Sequence, residues 1–168
     1  MASPASVKKH PFHPMLVALP IGLWVFALVC DVVHAAGGTP TWGTVATYCV
    51  AGGIAGALLS AVPGLVDYFS IDEAEMKRIA NLHLAINLGA VAIFVINLWL
   101  RFRLAADSNV PLMLSVLGVL AIGVGGWLGG EMVYVKGPSK RWSNWRRRSR
   151  SRRAEGPPKS VFFAAYTR

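Results

Sequence analysis

The sequence predicts an all-α fold, a four-helix transmembrane bundle followed by a disordered basic C-terminal tail. Three observations predict it. Hydrophobic residues make up 54% of the 168 positions and charged ones 15%, at a mean hydropathy of +0.48, too apolar for the polar surface a soluble domain needs. The apolar residues gather in four runs, 15–36, 43–69, 79–100 and 112–135, each close to the ~20 helical residues that cross a ~30 Å hydrocarbon core. The runs lack the period-2 alternation of a membrane barrel, which leaves helices, whose backbone groups satisfy one another in lipid.

Taken in order, a polar lead over residues 1–12 carries Lys8 and Lys9. The first run is longer than the ~7–15 apolar residues of a cleavable signal and contains Pro20 and Trp24, so it reads as an uncleaved signal-anchor. The loop over 34–42 has no Lys or Arg, and the second run carries Gly52-x-x-x-Gly56. Between runs two and three, Ser70-Ile71-Asp72-Glu73 matches a capping box, in which hydroxyl and carboxylate satisfy free amides at a helix start. That places the start of helix three ahead of the membrane. A loop over 101–110 carries Arg101 and Arg103, and Ser108-Asn109 with Pro111 opens helix four. Trp42, Tyr68, Trp99 and Tyr134 fall near span ends, where amphipathic rings favour the interface. The expected organisation is a lead (1–12), a transmembrane domain (13–137) and a tail (138–168).

The net charge of +9 belongs to the tail. Up to Val135 there are six Lys/Arg against seven Asp/Glu; from Lys136 onward there are eleven against Glu155 alone. Basic residues in short loops mark the cytoplasmic side. Lys8, Lys9, Lys77, Arg78 and the tail share one side of a four-span chain, against Arg101 and Arg103 on the other. Both termini are expected in the cytoplasm of a bacterial inner membrane. The Arg/Ser/Trp-rich tail is too polar to fold alone and suits anionic lipid headgroups; no specific nucleic-acid binding is expected. Cys30 and Cys49 lack redox spacing and read as small buried hydrophobes.

Ionisable groups within a bilayer cost about 2.5–3.5 kcal/mol on insertion scales, so those that persist face the protein interior. They form stripes at helical spacing: His13, Pro20, Trp24, Ala27, Asp31 and His34 on the first helix; Cys49, Gly53, Gly56, Ser60, Gly64 and Asp67 on the second; His83, Asn87, Phe94 and Asn97 on the third. The topology puts His13, Asp67, His83 and Glu131 at one end of the bundle. Two histidines on different helices are candidate axial ligands of a b-type haem; with Asp67 and Glu131 they are also a candidate divalent-metal set, or a proton relay. Helix four carries Gly125-x-x-x-Gly129 and Gly126-x-x-x-Gly130. With Gly52 and Gly56 these serve close helix packing or leave room for a flat cofactor.

The segment His13-Pro14-Met15-Leu16-Val17, continuing ALPIGLW to Trp24, resembles the opening HPMLVHFPIGLW of a bacterial integral-membrane family, domain of unknown function 2231. The resemblance continues through Gly64-Leu-Val-Asp67-Tyr68, His83-Leu-Ala-Ile-Asn87 and Gly129-Gly130-Glu131-Met-Val-Tyr134, covering about residues 10–137. Some relatives resemble fusions or neighbours of Rieske or cytochrome modules, which implies electron transfer. Ala18 and Lys136 stand where the family pattern often carries further histidines, which leaves His13 and His83 as the cross-helix pair. The expected function is therefore a haem- or redox-linked membrane component, with His13 and His83 as cofactor and metal ligands and Asp67, Asn87 and Glu131 beside them. The alternatives are a non-enzymatic structural or accessory subunit and a small proton- or metal-coupled transporter. No catalytic residues are expected; a homo-oligomer or a redox partner subunit is.

Overall fold

The computed structural model describes residues 6–7, 10–105, 107–136 and 151, and side chains from Phe12 onward within that set as far as Val133, with Ser151. It divides into two compact units, Met1–Gly130 and Glu131–Arg168. Most of the tail, expected to be disordered, lies outside the described residues.

In the first unit a two-rung antiparallel pairing of Ser6–Val7 with His10–Pro11 precedes five helices. They are α1 (Phe12–Leu16), α2 (Ala18–Ala35), α3 (Pro40–Phe69), α4 (Ala74–Arg101) and α5 (Val110–Gly130). The all-α expectation holds, with four spans long and apolar enough to cross a membrane: Phe12–Ala35, Pro40–Phe69, Ala74–Arg101 and Val110–Val133. In the second unit Glu131–Lys136 forms a π-helix.

The boundaries follow from local chemistry. Pro20 has no N–H for the Leu16 carbonyl four residues back, and α1 ends at Leu16. Gly37 takes a φ of +93°, and the Gly38 amide donates to Val33 O at 2.9 Å, the glycine-closed end common to helices. Pro40 then opens α3, where its missing donor costs nothing. Val110 N donates to Ser108 Oγ at 3.4 Å at the start of α5, with Pro111 in its first turn, as the sequence implies.

The capping box does not form. Ser70 Oγ donates backward to Asp67 O at 2.6 Å, because Ser70 closes α3 instead of opening α4. Glu73 is the N-cap residue of α4 without a side-chain cap bond. The next helix does begin ahead of its apolar run, three residues later than a Ser70 cap requires. Lys77 fastens this corner: its ammonium donates to Tyr68 O at 2.8 Å and lies 3.5 Å from the Tyr68 ring centre.

Helices α2, α3, α4 and α5 each pack on two neighbours around a square, α2 and α4 facing across one diagonal, α3 and α5 across the other. The centre is narrow: Trp24, Ala27, Val50, Ala90, Phe94 and Ile122 are buried. Large apolar side chains such as Leu59, Val62, Leu120 and Trp127 point outward and are exposed. A surface that apolar over small and polar core residues suits a lipid solvent.

Candidate functional site

The bundle interior has a polar cluster at each end and an aromatic block between. The block is Trp24 of α2 lying flat on Phe94 of α4, ring centres 4.2 Å apart and planes within 9°.

At one end His13 of α1 and His83 of α4 meet, their ring centres 6.4 Å apart and the planes perpendicular at 83°. Each ring is oriented by a backbone carbonyl. His13 Nδ1 lies 2.8 Å from Ser60 O, and His83 Nδ1 lies 2.9 Å from Gly125 O. A carbonyl only accepts, so both Nδ1 atoms carry the proton. In the neutral rings both Nε2 atoms then keep a lone pair, the arrangement by which a carbonyl prepares an imidazole to bind a metal. Asn87, one turn further along α4, donates Nδ2–H to the His83 backbone carbonyl at 2.7 Å. Its 3.3 Å approach to His83 Nδ1 adds no bond when that nitrogen is itself a donor.

Glycines one turn beyond each accepting carbonyl make these contacts possible. A Cβ on Gly64 would stand 2.7 Å from His13 Nδ1, and one on Gly129 would stand 3.2 Å from His83 Cε1. A helix carbonyl points along the axis toward residue i+4, so a side chain there screens it from outside donors. Pro63 lies within α3 and removes the amide that would bond the neighbouring Leu59 carbonyl, loosening the turn on which His13 sits. The same device recurs in the block: Trp24 Nε1 donates to Val50 O at 3.3 Å, over Gly53, where a Cβ would collide with the indole. At Gly118 a Cβ would come 2.6 Å from the Phe94 ring, and at Gly125 2.8 Å from Asn87 Nδ2. The room opened by these glycines is filled by the protein's own side chains. The sequence offered close helix packing or room for a flat cofactor; at Gly125 and Gly129 the neighbours are the Asn87 and His83 side chains, and at Gly126 and Gly130 nothing lies within 4 Å.

The other expected site residues fall as follows. Asp67 is half-buried one turn past Gly64 on α3. Glu131 opens the π-helix of the second unit and is described there by itself. Among the described residues no three or more His, Cys, Asp or Glu side chains gather as a metal would require. Within the first unit the histidine pair is what the fold brings together. Ser60 and Asn97, which a transporter would keep wet, are buried, and both are bonded to protein groups.

The opposite end holds a network that sequence reasoning only half found. Arg101 Nη2 meets Asp31 Oδ2 at 2.6 Å, the two side chains 7% and 5% exposed. Ser115 Oγ donates to the same carboxylate oxygen at 2.6 Å and accepts from Asn97 Nδ2 at 2.9 Å. Asn97 Oδ1 accepts from Arg101 Nε at 2.8 Å, and Asn97 Nδ2 also reaches Pro111 O at 3.0 Å. Arg101 was expected in a loop; it is the last residue of α4, held inside by this network. Its position four residues after Asn97 continues the Phe94–Asn97 face, a signal present in the sequence. Ser115, one hydroxyl in an apolar run, gave none.

The family model described as "Predicted membrane protein (DUF2231)" matches residues 9–139. No curated protein and no solved structure matches the chain.

Proposed function

Given that the chain belongs to the DUF2231 family of predicted membrane proteins and has four membrane-length helices, we propose that it is a redox component of the bacterial inner membrane that holds a haem iron between His13 and His83. The observation that carries this reading is the histidine pair. Two imidazoles from different helices lie with ring centres 6.4 Å apart, each turned by a carbonyl so that Nε2 is the free ligand atom. Metal–imidazole bonds of about 2.0–2.1 Å put the centres of two rings on one ion roughly 5–6.5 Å apart. A haem bound there would supply one-electron chemistry. The chain's own part is to fix both rings through the Ser60 and Gly125 carbonyls, to place Asn87 beside His83, and to surround the pair with apolar helices. Asp67, half-buried on α3, belongs to the proposed surroundings. Both termini face the cytoplasm in this reading, and the basic tail meets anionic lipid.

The test is an absorption spectrum of the full-length protein purified after haem-supplemented expression. A Soret band that His13→Ala and His83→Ala each abolish or shift is the expected result. A colourless wild-type protein, free of iron by elemental analysis, would overturn the reading.

One observation favours a second reading, a structural or accessory subunit. The glycine notches at the pair, Gly64, Gly125 and Gly129, are already occupied by the His13, Asn87 and His83 side chains. In that case His83→Ala lowers stability or assembly and removes no chromophore.

A further inference from the structure

Three contacts down the middle of the bundle share a regularity. His83 follows His13, Phe94 follows Trp24 and Arg101 follows Asp31, each by the same 70 positions, and each residue touches its own counterpart. The glycine-bearing helices show a second constant offset of 65. It relates Ser60 to Gly125, whose carbonyls orient the two histidines. It also relates Gly64 to Gly129 and Gly53 to Gly118, which seat the histidines and the two aromatic rings. The five-residue difference falls in one place, the first turns of the second helix of each hairpin: Pro40 and Val110 open α3 and α5 at offset 70, and Val50 and Ser115 already lie at offset 65. Burial repeats as well: Pro20 and Ala90 are buried at offset 70, and Val50 and Ser115 at offset 65.

Residues that meet their own equivalents lie on a two-fold axis, as in the interface of a symmetric dimer. Membrane proteins built from parallel repeats place that axis along the membrane normal. We propose that residues 12–130 are two helical hairpins of one design, α1–α3 and α4–α5, related by an internal two-fold axis, and that His13 and His83 are a single symmetric ligand site on it. The metal class it takes is one that accepts two equivalent imidazoles. This last point rests on the haem reading above; the duplication does not.

The Asp31–Arg101 pair is where the halves differ most. If two copies of the first hairpin met on this axis, Asp31 would face Asp31, and two copies of the second would set Arg101 against Arg101. Burying like charges together is strongly unfavourable. Only the first hairpin with the second gives an ion pair, so this position selects the pairing of unlike hairpins.

Exchange across the axis in the full-length protein tests the duplication. Asp31→Arg and Arg101→Asp, each alone, are expected to cut the folded yield in detergent by more than half. The double exchange Asp31→Arg/Arg101→Asp is expected to recover at least half of that loss, because equivalent positions are interchangeable. A double variant no better than the worse single overturns the axis. For the ligand site, His13→Ala and His83→Ala in haem-supplemented protein are expected to give the same Soret shift, one lost ligand each. Unlike spectra overturn the equivalence of the two ligands. A wild type without any Soret band removes the haem reading and the ligand equivalence with it, while the charge exchange still decides the axis.

Discussion

Trp24 lies flat on Phe94 at 4.2 Å between ring centres, and each ring is seated on a glycine of the adjoining helix, Gly53 or Gly118. This stack joins α2 to α4 across the diagonal of the bundle, where the backbones themselves do not pack. Truncating either ring leaves a cavity with no smaller group to fill it. Phe94→Ala is expected to cost about 3–5 kcal/mol, the usual range for a buried aromatic. Thermal or denaturant unfolding in detergent checks this; a loss under about 1 kcal/mol would mean that the stack does not hold the helices together.

Glycines here divide into two classes, and the division is testable. Gly118 faces Phe94 so closely that a Cβ would stand 2.6 Å from the ring, whereas Gly22 and Gly89 have nothing within 4 Å. Gly118→Ala should destabilise by about 1–3 kcal/mol through overpacking. Gly22→Ala and Gly89→Ala should be neutral or stabilise by up to about 1 kcal/mol, since alanine favours helix. Melting curves of the three variants give the comparison, and equal effects would contradict the packing.

Gly64 links fold to site. Alanine there puts a methyl 2.7 Å from His13 Nδ1, so the imidazole must leave the Ser60 carbonyl while His83 keeps its own. Any chromophore or metal held by the pair should be lost or weakened more than tenfold. The melting temperature should fall less than for Gly118→Ala, because no large ring is displaced. Metal or haem titration of the purified variant measures it, and unaltered binding would show that His13 takes no part.

The four spans and their inward stripes were legible because bilayer thickness and helical period act on the sequence directly. The meeting of His13 and His83 was legible too, since depth along a span follows from topology. What sequence hid was choice of partner. Ser70 and Glu73 satisfy the spacing of a capping box, yet the end of α3 claims Ser70 first. The glycine faces announced close approach without saying whether a helix, a cofactor or an imidazole would approach. Arg101 looked like loop charge because its partner, Asp31, lies 70 residues earlier.

That partner makes Arg101 costly to remove alone. Arg101→Ala leaves the Asp31 carboxylate buried with only Ser115 to bond it, and losing one member of a buried pair costs about 3–5 kcal/mol. Replacing both, as Asp31→Leu/Arg101→Met, removes the desolvation penalty along with the attraction and should restore stability to within about 1–2 kcal/mol of wild type. Unfolding of the single and double variants separates the two effects. A double variant as weak as the single would assign the stability to the wider Asn97–Ser115 network instead.

The proposed orientation can be tested from the connections between helices. Arg101 and Arg103 on one side stand against Lys8, Lys9, Lys77 and Arg78 on the other, and the larger number of basic residues marks the expected cytoplasmic side. In a background with Cys30 and Cys49 replaced by alanine, cysteine introduced at Asp107 should react with a membrane-impermeant maleimide in intact cells. Cysteine introduced at Asp72, in the connection between α3 and α4, should react only after the cells are opened. Both positions are exposed, so failure to label reflects the side of the membrane and not burial. The reverse pattern would invert the bundle and set the histidine pair on the outer face.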